Sequence, residues 1–197
     1  MKARPAFLLA VLASAVSAQA QSAPAVVPYN PDTHRAEIAV DYSYLHTNAP
    51  PGGCGCFSMN GFTAQLGWPV DRKGISAVGE INIAHTANAA GTNTSLTLGS
   101  FGVGARYRID RSGWAPFGEV MVGAIQATGG YNRIGITSPA SAGLSFVGIV
   151  GGGLDRRITT RLYIRLIEAD YFATTFDNGV NDHQNNLRIN AGLVWRF

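Results

Sequence analysis

Histidine and serine are the residue types in this chain that could support catalysis. Two of the four histidines, His46 and His85, lie at the ends of segments with strand-like alternation, and Ser43 and Ser58 are close to them in sequence. A serine hydroxyl becomes a nucleophile when a histidine takes its proton and an acid orients that histidine. Histidines in polar connections are also common without any function, so we expect no catalytic residue here.

The two cysteines form a second candidate, a Cys54-Gly-Cys56 motif in a segment rich in proline and glycine. Three arrangements are open: a local disulfide, a pair of reduced thiols, or a metal or redox site. Exported cysteines tend to oxidise. A structural zinc site needs about four ligands at recognisable spacing, and no further ligands lie nearby in sequence. We therefore favour a loop disulfide between Cys54 and Cys56, and we expect no metal and no cofactor.

Charged residues inside strand-like segments form the third candidate. Glu80, Arg106, Arg108 and Glu119 alternate with apolar residues on three consecutive segments, which places the four side chains on the inner face. Burying an ion without a partner costs several kcal/mol. We predict that these four residues form a structural salt-bridge network that fills the interior. A proton or ion path is the alternative.

The final segment, residues 187–197, shows the alternation most clearly. Its odd-numbered positions are mostly apolar, and its even-numbered positions include Asn190 and Arg196. A strand of about 9–11 residues with one apolar and one polar face suits a membrane barrel. The ending Trp195-Arg196-Phe197 resembles the C-terminal signature of bacterial outer-membrane β-barrel proteins. The resemblance implies that Trp195 and Phe197 form an assembly signal read by the barrel-assembly machinery.

Alternation and turn residues together predict eight strands. The connections are alternately long and short, and the short ones begin with Asp71-Arg72, Asp110-Arg111 and Asp155-Arg156. Long extracellular loops and short periplasmic turns are typical of outer-membrane barrels, and an even strand number brings both termini to the periplasm. The predicted strands span 35–46, 57–70, 75–86, 94–109, 114–127, 143–155, 160–172 and 186–197.

The seventh predicted strand does not alternate cleanly. Arg165 has the opposite parity from Glu168 and Asp170, so one alternating pattern does not place all three on the inner face. A bulge would reconcile them, but the sequence does not indicate where it lies. Aromatic residues near the predicted strand ends, Tyr163 among them, are expected to form girdles at the two membrane interfaces.

The N-terminal residues have the features of a secretory signal peptide. Lys2 and Arg4 precede an apolar run at 7–16 that is too short to span a bilayer, and an Ala-Gln-Ala cleavage site ends at residue 20. Removing Lys2 and Arg4 lowers the basic count from 15 to 13 against 12 acids, so nothing indicates a nucleic-acid partner. The predicted parts are a signal peptide at 1–20, a flexible periplasmic leader at 21–34 and a barrel domain at 35–197.

These observations predict an all-β protein, an eight-stranded antiparallel up-and-down transmembrane β-barrel of the small OmpA/OmpX-like type. A secreted sandwich or jelly roll is the alternative fold. The resemblance implies a monomer in the cell outer membrane, in contact with outer-membrane lipid including lipopolysaccharide. The expected function is structural or surface interaction, with the lumen closed by charged side chains. The alternatives are an outer-membrane lipid A acyl hydrolase or transferase with a rim His/Ser site, and a small carrier or channel for apolar solutes.

Overall fold

An antiparallel barrel accounts for nearly all of the chain that the structure, a computed structural model, describes: residues 35–47, 56–71, 73–91, 93–129, 144–176 and 183–197. Its strands are β1 (Glu37–Thr47), β2 (Phe57–Pro69), β3 (Ile75–Thr86), β4 (Leu96–Arg108), β5 (Trp114–Gly129), β6 (Leu144–Arg157), β7 (Leu162–Thr174) and β8 (Gln184–Arg196). Each strand pairs with its sequence neighbours, and β1 closes the barrel against β8. The predicted fold class is therefore confirmed.

No helix within the described residues is long and apolar enough to cross a membrane. The one short helical turn described between strands, Ala89–Gly91, lies in the connection from β3 to β4.

Outward and inward side chains alternate along the strands, as the pleat of a strand requires. On β1, Ile38 and Val40 are 45% and 55% exposed, whereas Glu37 and Asp41 are 5% and 1% exposed. The same arrangement of apolar residues outside and polar residues inside continues around the barrel. It is the reverse of a soluble protein and is typical of a barrel in lipid, which excludes the secreted-sandwich alternative.

A β-bulge explains the seventh strand, whose facing the sequence left undetermined. The pairing of β7 with β8 shifts between Arg165 and Glu168. Leu166 and Ile167 lie between them and both face outward, 45% and 47% exposed. A bulge inserts one extra residue and so reverses the parity of everything after it. Arg165, Glu168 and Asp170 consequently all lie inside the barrel, each at most 1% exposed.

The short turns lie at the same end of the barrel as both ends of the described chain. After β2, Asp71 Oδ1 accepts the backbone N–H groups of Ile75 and Lys73, both at 2.9 Å. The hydrogen bond from Ile75 contributes most to holding the pKa of Asp71 below its usual value. Gly74 adopts φ 101°, a left-handed conformation that glycine tolerates without steric cost.

One predicted turn is wrong. Asp155-Arg156 was expected to start the third short turn, but β6 continues to Arg157 and the turn lies at 158–161. Asp155 is completely buried and contacts arginines of the interior, so it serves the lumen rather than a turn. Thr159 takes the turn-stabilising role instead, because its Oγ1 accepts the N–H of Leu162 at 3.0 Å.

Glycines of β6 leave space for larger inward side chains of neighbouring strands. A Cβ on Gly151 would lie 1.9 Å from Asp170 Oδ1, whereas a Cβ on Gly79, on the outer face of β3, would meet nothing within 4 Å. We expect Gly151→Ala to lower the free energy of unfolding by about 1–3 kcal/mol through overpacking. Gly79→Ala should leave it within about 0.5 kcal/mol. Urea titration of the refolded variants in vesicles measures both, and equal effects would contradict the assigned facing.

Candidate functional site in the barrel interior

The four residues predicted to form a lumen network all lie inside the barrel. Glu80, Arg106, Arg108 and Glu119 are 4%, 1%, 6% and 5% exposed. Arg106 and Glu119 are cross-strand neighbours on β4 and β5, and the Arg106 Nε and Nη2 groups donate to Glu119 Oε2 at 2.8 and 2.5 Å. They are the one pair within the predicted set that makes direct contact in the described structure; Glu80 and Arg108 take partners outside it.

Glu37, at the start of β1, forms ion pairs with three arginines. Arg106 Nη1 donates to its Oε1 at 2.6 Å, and Arg108 Nη1 donates to its Oε2. Arg196 Nε lies 3.3 Å from the same Oε2. Arg108 also donates to Asp155 of β6. These contacts join strands on different sides of the barrel across the interior.

Arg165 of β7 makes the widest set of contacts. Its Nη1 donates to Asp41 of β1 at 2.9 Å and to Glu168 at 2.5 Å, and its Nε donates to Asp155 at 3.0 Å. The same Nη1 lies 2.6 Å from the amide oxygen of Gln65 on β2. Side chains from β1, β2, β6 and β7 thus meet on one guanidinium that is 1% exposed.

Arg188 of β8 forms a further group toward β3. It donates from Nη1 to Glu80 Oε1 at 2.5 Å and from Nε to Asp170 Oδ2 at 2.9 Å. Gln65 links this group to Arg165, because its Nε2 donates to Glu80 at 2.8 Å and to Glu168 at 3.1 Å. The ion pairs therefore form one continuous lattice, with Gln65 near its centre.

Sequence analysis did not assign eight members of this lattice to a site. Alternation alone places Glu37, Asp41, Arg188 and Arg196 on the inner face, but it does not show which residues they pair with. Asp155 was assigned to a turn, and the bulge in β7 concealed the others. The members not assigned are Glu37, Asp41, Asp155, Arg165, Glu168, Asp170, Arg188 and Arg196.

Aromatic rings pack against the guanidinium planes. Phe117 lies under Arg106 and Arg165, with its centroid 4.4 and 4.7 Å from their Cζ atoms. Tyr163 lies 3.8 Å from Arg196 Cζ and is 1% exposed. The prediction that Tyr163 belongs to an interfacial girdle is therefore wrong; its ring faces inward. Cation–π contacts of this kind strengthen when they are shielded from water.

Three carboxylates approach one another within the lattice. One oxygen each of Glu80, Glu119 and Glu168 lies within 4.8 Å of the other two, a spacing that a cation could bridge. Each also forms an ion pair with an arginine that it shares with other acids: Glu80 with Arg188, Glu119 with Arg106 and Glu168 with Arg165. The three carboxylates thus lie against guanidiniums of the lattice, which offset part of their mutual repulsion.

An apolar layer fills the other half of the interior, toward the long connections. It has no titratable side chain and includes bulky residues of β1, β2, β5 and β7. The buried cluster comprises Leu45, Met59, Val78, Ala84, Ala89, Leu96, Leu98, Met121, Ile125, Ala127, Val147, Ile149, Phe172 and Phe176. The ion-paired lattice and the apolar layer follow one another along the barrel axis, and both fill the interior with side chains.

Residues 6–197 match the family described as "Outer membrane protein beta-barrel domain". The chain belongs to this family. Its location is therefore the cell outer membrane, as the sequence predicted, and the short turns face the periplasm. Comparison with curated proteins finds no match.

Solved structures of small outer-membrane barrels share the fold. Neisserial surface protein A (NspA) is 15% identical, with a TM-score of 0.60 over 82% of this chain and 97% of that one. Ail, the attachment invasion locus protein of Yersinia pestis, is 15% identical, with a TM-score of 0.56 over 83% and 99%. OprG from Pseudomonas aeruginosa is 9% identical, with a TM-score of 0.54 over 83% and 96%. At these identities, the similarity establishes the architecture.

The two candidate histidines of this outer-membrane barrel, His46 and His85, lie on its outer surface, near the extracellular ends of the strands. His46 Nδ1 is 3.2 Å from Ser58 Oγ, and His85 Nδ1 is 2.9 Å from Thr97 Oγ1. Tyr44 also contacts Ser58, at 2.6 Å. Ser43, the other serine considered, faces the interior and accepts a hydrogen bond from Asn82 at 3.1 Å, so it lies on the wrong face for either histidine.

The remaining candidate residues lie at opposite ends of the barrel. Cys56 is exposed immediately before β2, and Cys54 lies outside the described residues, so the disulfide stays a prediction. Trp195 and Phe197 face outward at the periplasmic end, 49% and 55% exposed. The N–H of Phe197 donates to the Ala36 carbonyl at 3.0 Å, which seats the final residue against the first strand. Their role as an assembly signal stays a prediction.

Proposed function

We propose that the protein is a closed outer-membrane barrel, neither transporter nor enzyme, that acts through its extracellular connections. The observation that carries the proposal is the ion-paired interior. Five arginines and seven acidic residues are buried there, and the arginines reach across the lumen to acids on other strands. An eight-stranded barrel is only wide enough for its side chains to fill. Because a filled barrel transports nothing, the extracellular connections are the part of the protein that can contact partners outside the cell.

Trimming the loops tests this proposal. A deletion strain would carry either the full barrel or a version with 49–54, 131–142 and 177–182 shortened to tight turns, at equal surface amounts. The full barrel should restore adhesion of cells to surfaces and to one another, and the trimmed barrel should not. Entry of small hydrophilic solutes should be the same in both strains. Full restoration by the trimmed barrel, or faster solute entry with the full barrel alone, would contradict the proposal.

A lipid hydrolase is the second candidate, favoured by the contact between His46 and Ser58 on the lipid-facing surface. A serine nucleophile also requires an acid that orients the histidine. No carboxylate hydrogen-bonds to His46 among the residues that the structure describes, because the acids of neighbouring strands point inward. Mass spectra of lipid A should therefore be unchanged by expression of the protein. Loss of an acyl chain that Ser58→Ala prevents would support the hydrolase instead.

A further inference from the structure

Among the residues that the structure describes, the basic side chains on the outside of the barrel all lie at its periplasmic end. We call this set the basic rim. Within the described ranges it contains every lysine and arginine that does not belong to the ion-paired interior. Its members are Arg35, Lys73, Arg111, Arg156, Arg157 and Arg161, of which all but the half-buried Arg35 are exposed.

Acidic residues do not balance the rim. Of the described carboxylates near it, Asp110 is directed inward, with its side chain 6% exposed and 3.2 Å from Arg196. Asp71 is the other, and its Oδ1 already accepts two backbone N–H groups of its own turn. Counted over the described residues, the exterior of this end therefore carries an excess of positive charge.

Most of the rim charges surround two adjacent turns. The N–H of Arg157 donates to the Gly113 carbonyl at 2.8 Å, which brings the turn between β4 and β5 beside the end of β6. Arg35 Nη1 donates to the Thr160 carbonyl at 3.2 Å and so lies at the turn between β6 and β7. Five of the six rim cations thus share one side of the barrel, and their fields add.

The opposite end has no comparable charge. By sequence, the connections at 48–55, 130–143 and 177–182 contain one arginine, Arg133, and two aspartates, Asp177 and Asp182. The connection at 87–95 contains no charged residue. The asymmetry therefore separates the two membrane surfaces.

The rim lies at the level of the lipid headgroups. All three tryptophans of the chain, Trp68, Trp114 and Trp195, face outward at periplasmic strand ends. Tryptophan prefers the membrane–water interface. Arg156 stacks on Trp114, with its Cζ 4.3 Å from the ring centroid, which fixes one rim charge at that depth. The turns are too short to project far into the periplasm, so the surface within their reach is the membrane itself.

We propose that the basic rim binds the anionic phospholipid headgroups of the inner leaflet. Phosphate groups of phosphatidylglycerol-type lipids complement the guanidiniums, and arginine can bind phosphate through two parallel hydrogen bonds. The rim thereby orients the barrel and selects its lipid neighbours on the periplasmic side. This interaction does not depend on what the extracellular loops contact.

The tryptophans provide a direct measurement, because they report on lipid at the rim alone. Refolded protein would be placed in phosphatidylcholine vesicles that contain either brominated phosphatidylcholine or brominated phosphatidylglycerol, and quenching of tryptophan fluorescence gives relative binding. The wild type should prefer phosphatidylglycerol by about fivefold at low salt, the effect of one basic residue near an anionic surface. The preference should decline as salt screens the charges.

Three variants isolate the rim charge. Arg111→Gln, Arg157→Gln and Arg161→Gln combined should lower the preference clearly, and the same three positions changed to lysine should retain it. Arg156 is left unchanged because it contacts the reporter Trp114. For a reporter at the other end, Phe146→Trp is combined with replacement of the three tryptophans by phenylalanine, and it should show equal quenching by both lipids.

Several outcomes would overturn the proposal. Equal quenching of the wild type by both lipids would show that the rim does not select anionic lipid. An acidic periplasmic protein would then be the better candidate for the partner of the rim. The proposal would also be contradicted if the glutamine variant kept the full preference for phosphatidylglycerol. The same holds if the Phe146→Trp reporter showed a preference for phosphatidylglycerol as large as that of the wild type. If the glutamine variant does not fold, the salt titration of the wild type decides, because a preference that salt leaves unchanged contradicts an electrostatic origin.

Discussion

Replacing Arg165 with methionine should lower the free energy of unfolding by about 3–5 kcal/mol, the cost of leaving buried ions without their partner. Arg165 is the common donor for Asp41, Asp155 and Glu168, all of which are at most 1% exposed. Methionine preserves much of the side-chain volume but none of the charge. The three carboxylates would then repel one another in a site from which water is excluded.

Arg161→Met is the matched control for this prediction. Arg161 is an exposed arginine only four residues away, in the turn before β7. Its contact with Arg196 is made by its backbone carbonyl, which the substitution leaves in place. Urea titration of both variants, refolded in vesicles, should show a change within about 0.5 kcal/mol for Arg161→Met. A loss below 1 kcal/mol for Arg165→Met would show that the lattice contributes little to stability.

Arginine in place of Ile81 should cost about 2–4 kcal/mol, the range for arginine at the bilayer midplane of a barrel. Ile81 lies near the middle of β3, faces outward and is 60% exposed to the lipid. A guanidinium at that depth loses its hydration without gaining a carboxylate, because the inward acids of neighbouring strands lie behind the barrel wall.

His85→Arg provides the comparison at another depth on the same strand and the same face. His85 is exposed near the extracellular end of β3, where it contacts Thr97. Arginine near the interface should cost only about 0–1 kcal/mol. Denaturant titration of the two variants measures the difference. Equal costs would mean that the outer face of β3 does not cross the hydrocarbon as the register implies.

The strands and their facings could be read from the sequence wherever a plain period of two holds. The central parts of the segments that became β1, β3, β4 and β8 alternate, so both the strand and its inner face followed from residue types. Strand β7 was the exception, because Leu166 and Ile167 face outward in succession. The residue types of two adjacent apolar positions do not reveal a bulge. The bulge is located by the pairing of β7 with β6 and β8.

The partners inside the barrel could not be predicted in the same way. Alternation places Glu37 and Arg108 on the inner face, but these residues are 71 positions apart in sequence and meet only because the sheet closes. When the sheet closes into a barrel, the register of every strand pair determines which inward residues lie at the same level along the barrel axis. Asp155 illustrates the consequence: its sequence neighbours indicated a turn, whereas its position opposite Arg108 and Arg165 gives it a buried role.

Single-channel recording in a planar lipid bilayer tests the closed interior most directly. The refolded protein would be inserted at high salt, with insertion verified by a heat-modifiable band on gels and with a large porin as the positive control for conductance. The ion-paired lattice around Arg165 and the apolar layer beyond it predict a membrane current that stays at the level of the bare bilayer. Stable, stepwise currents proportional to the amount of folded protein would contradict a closed lumen.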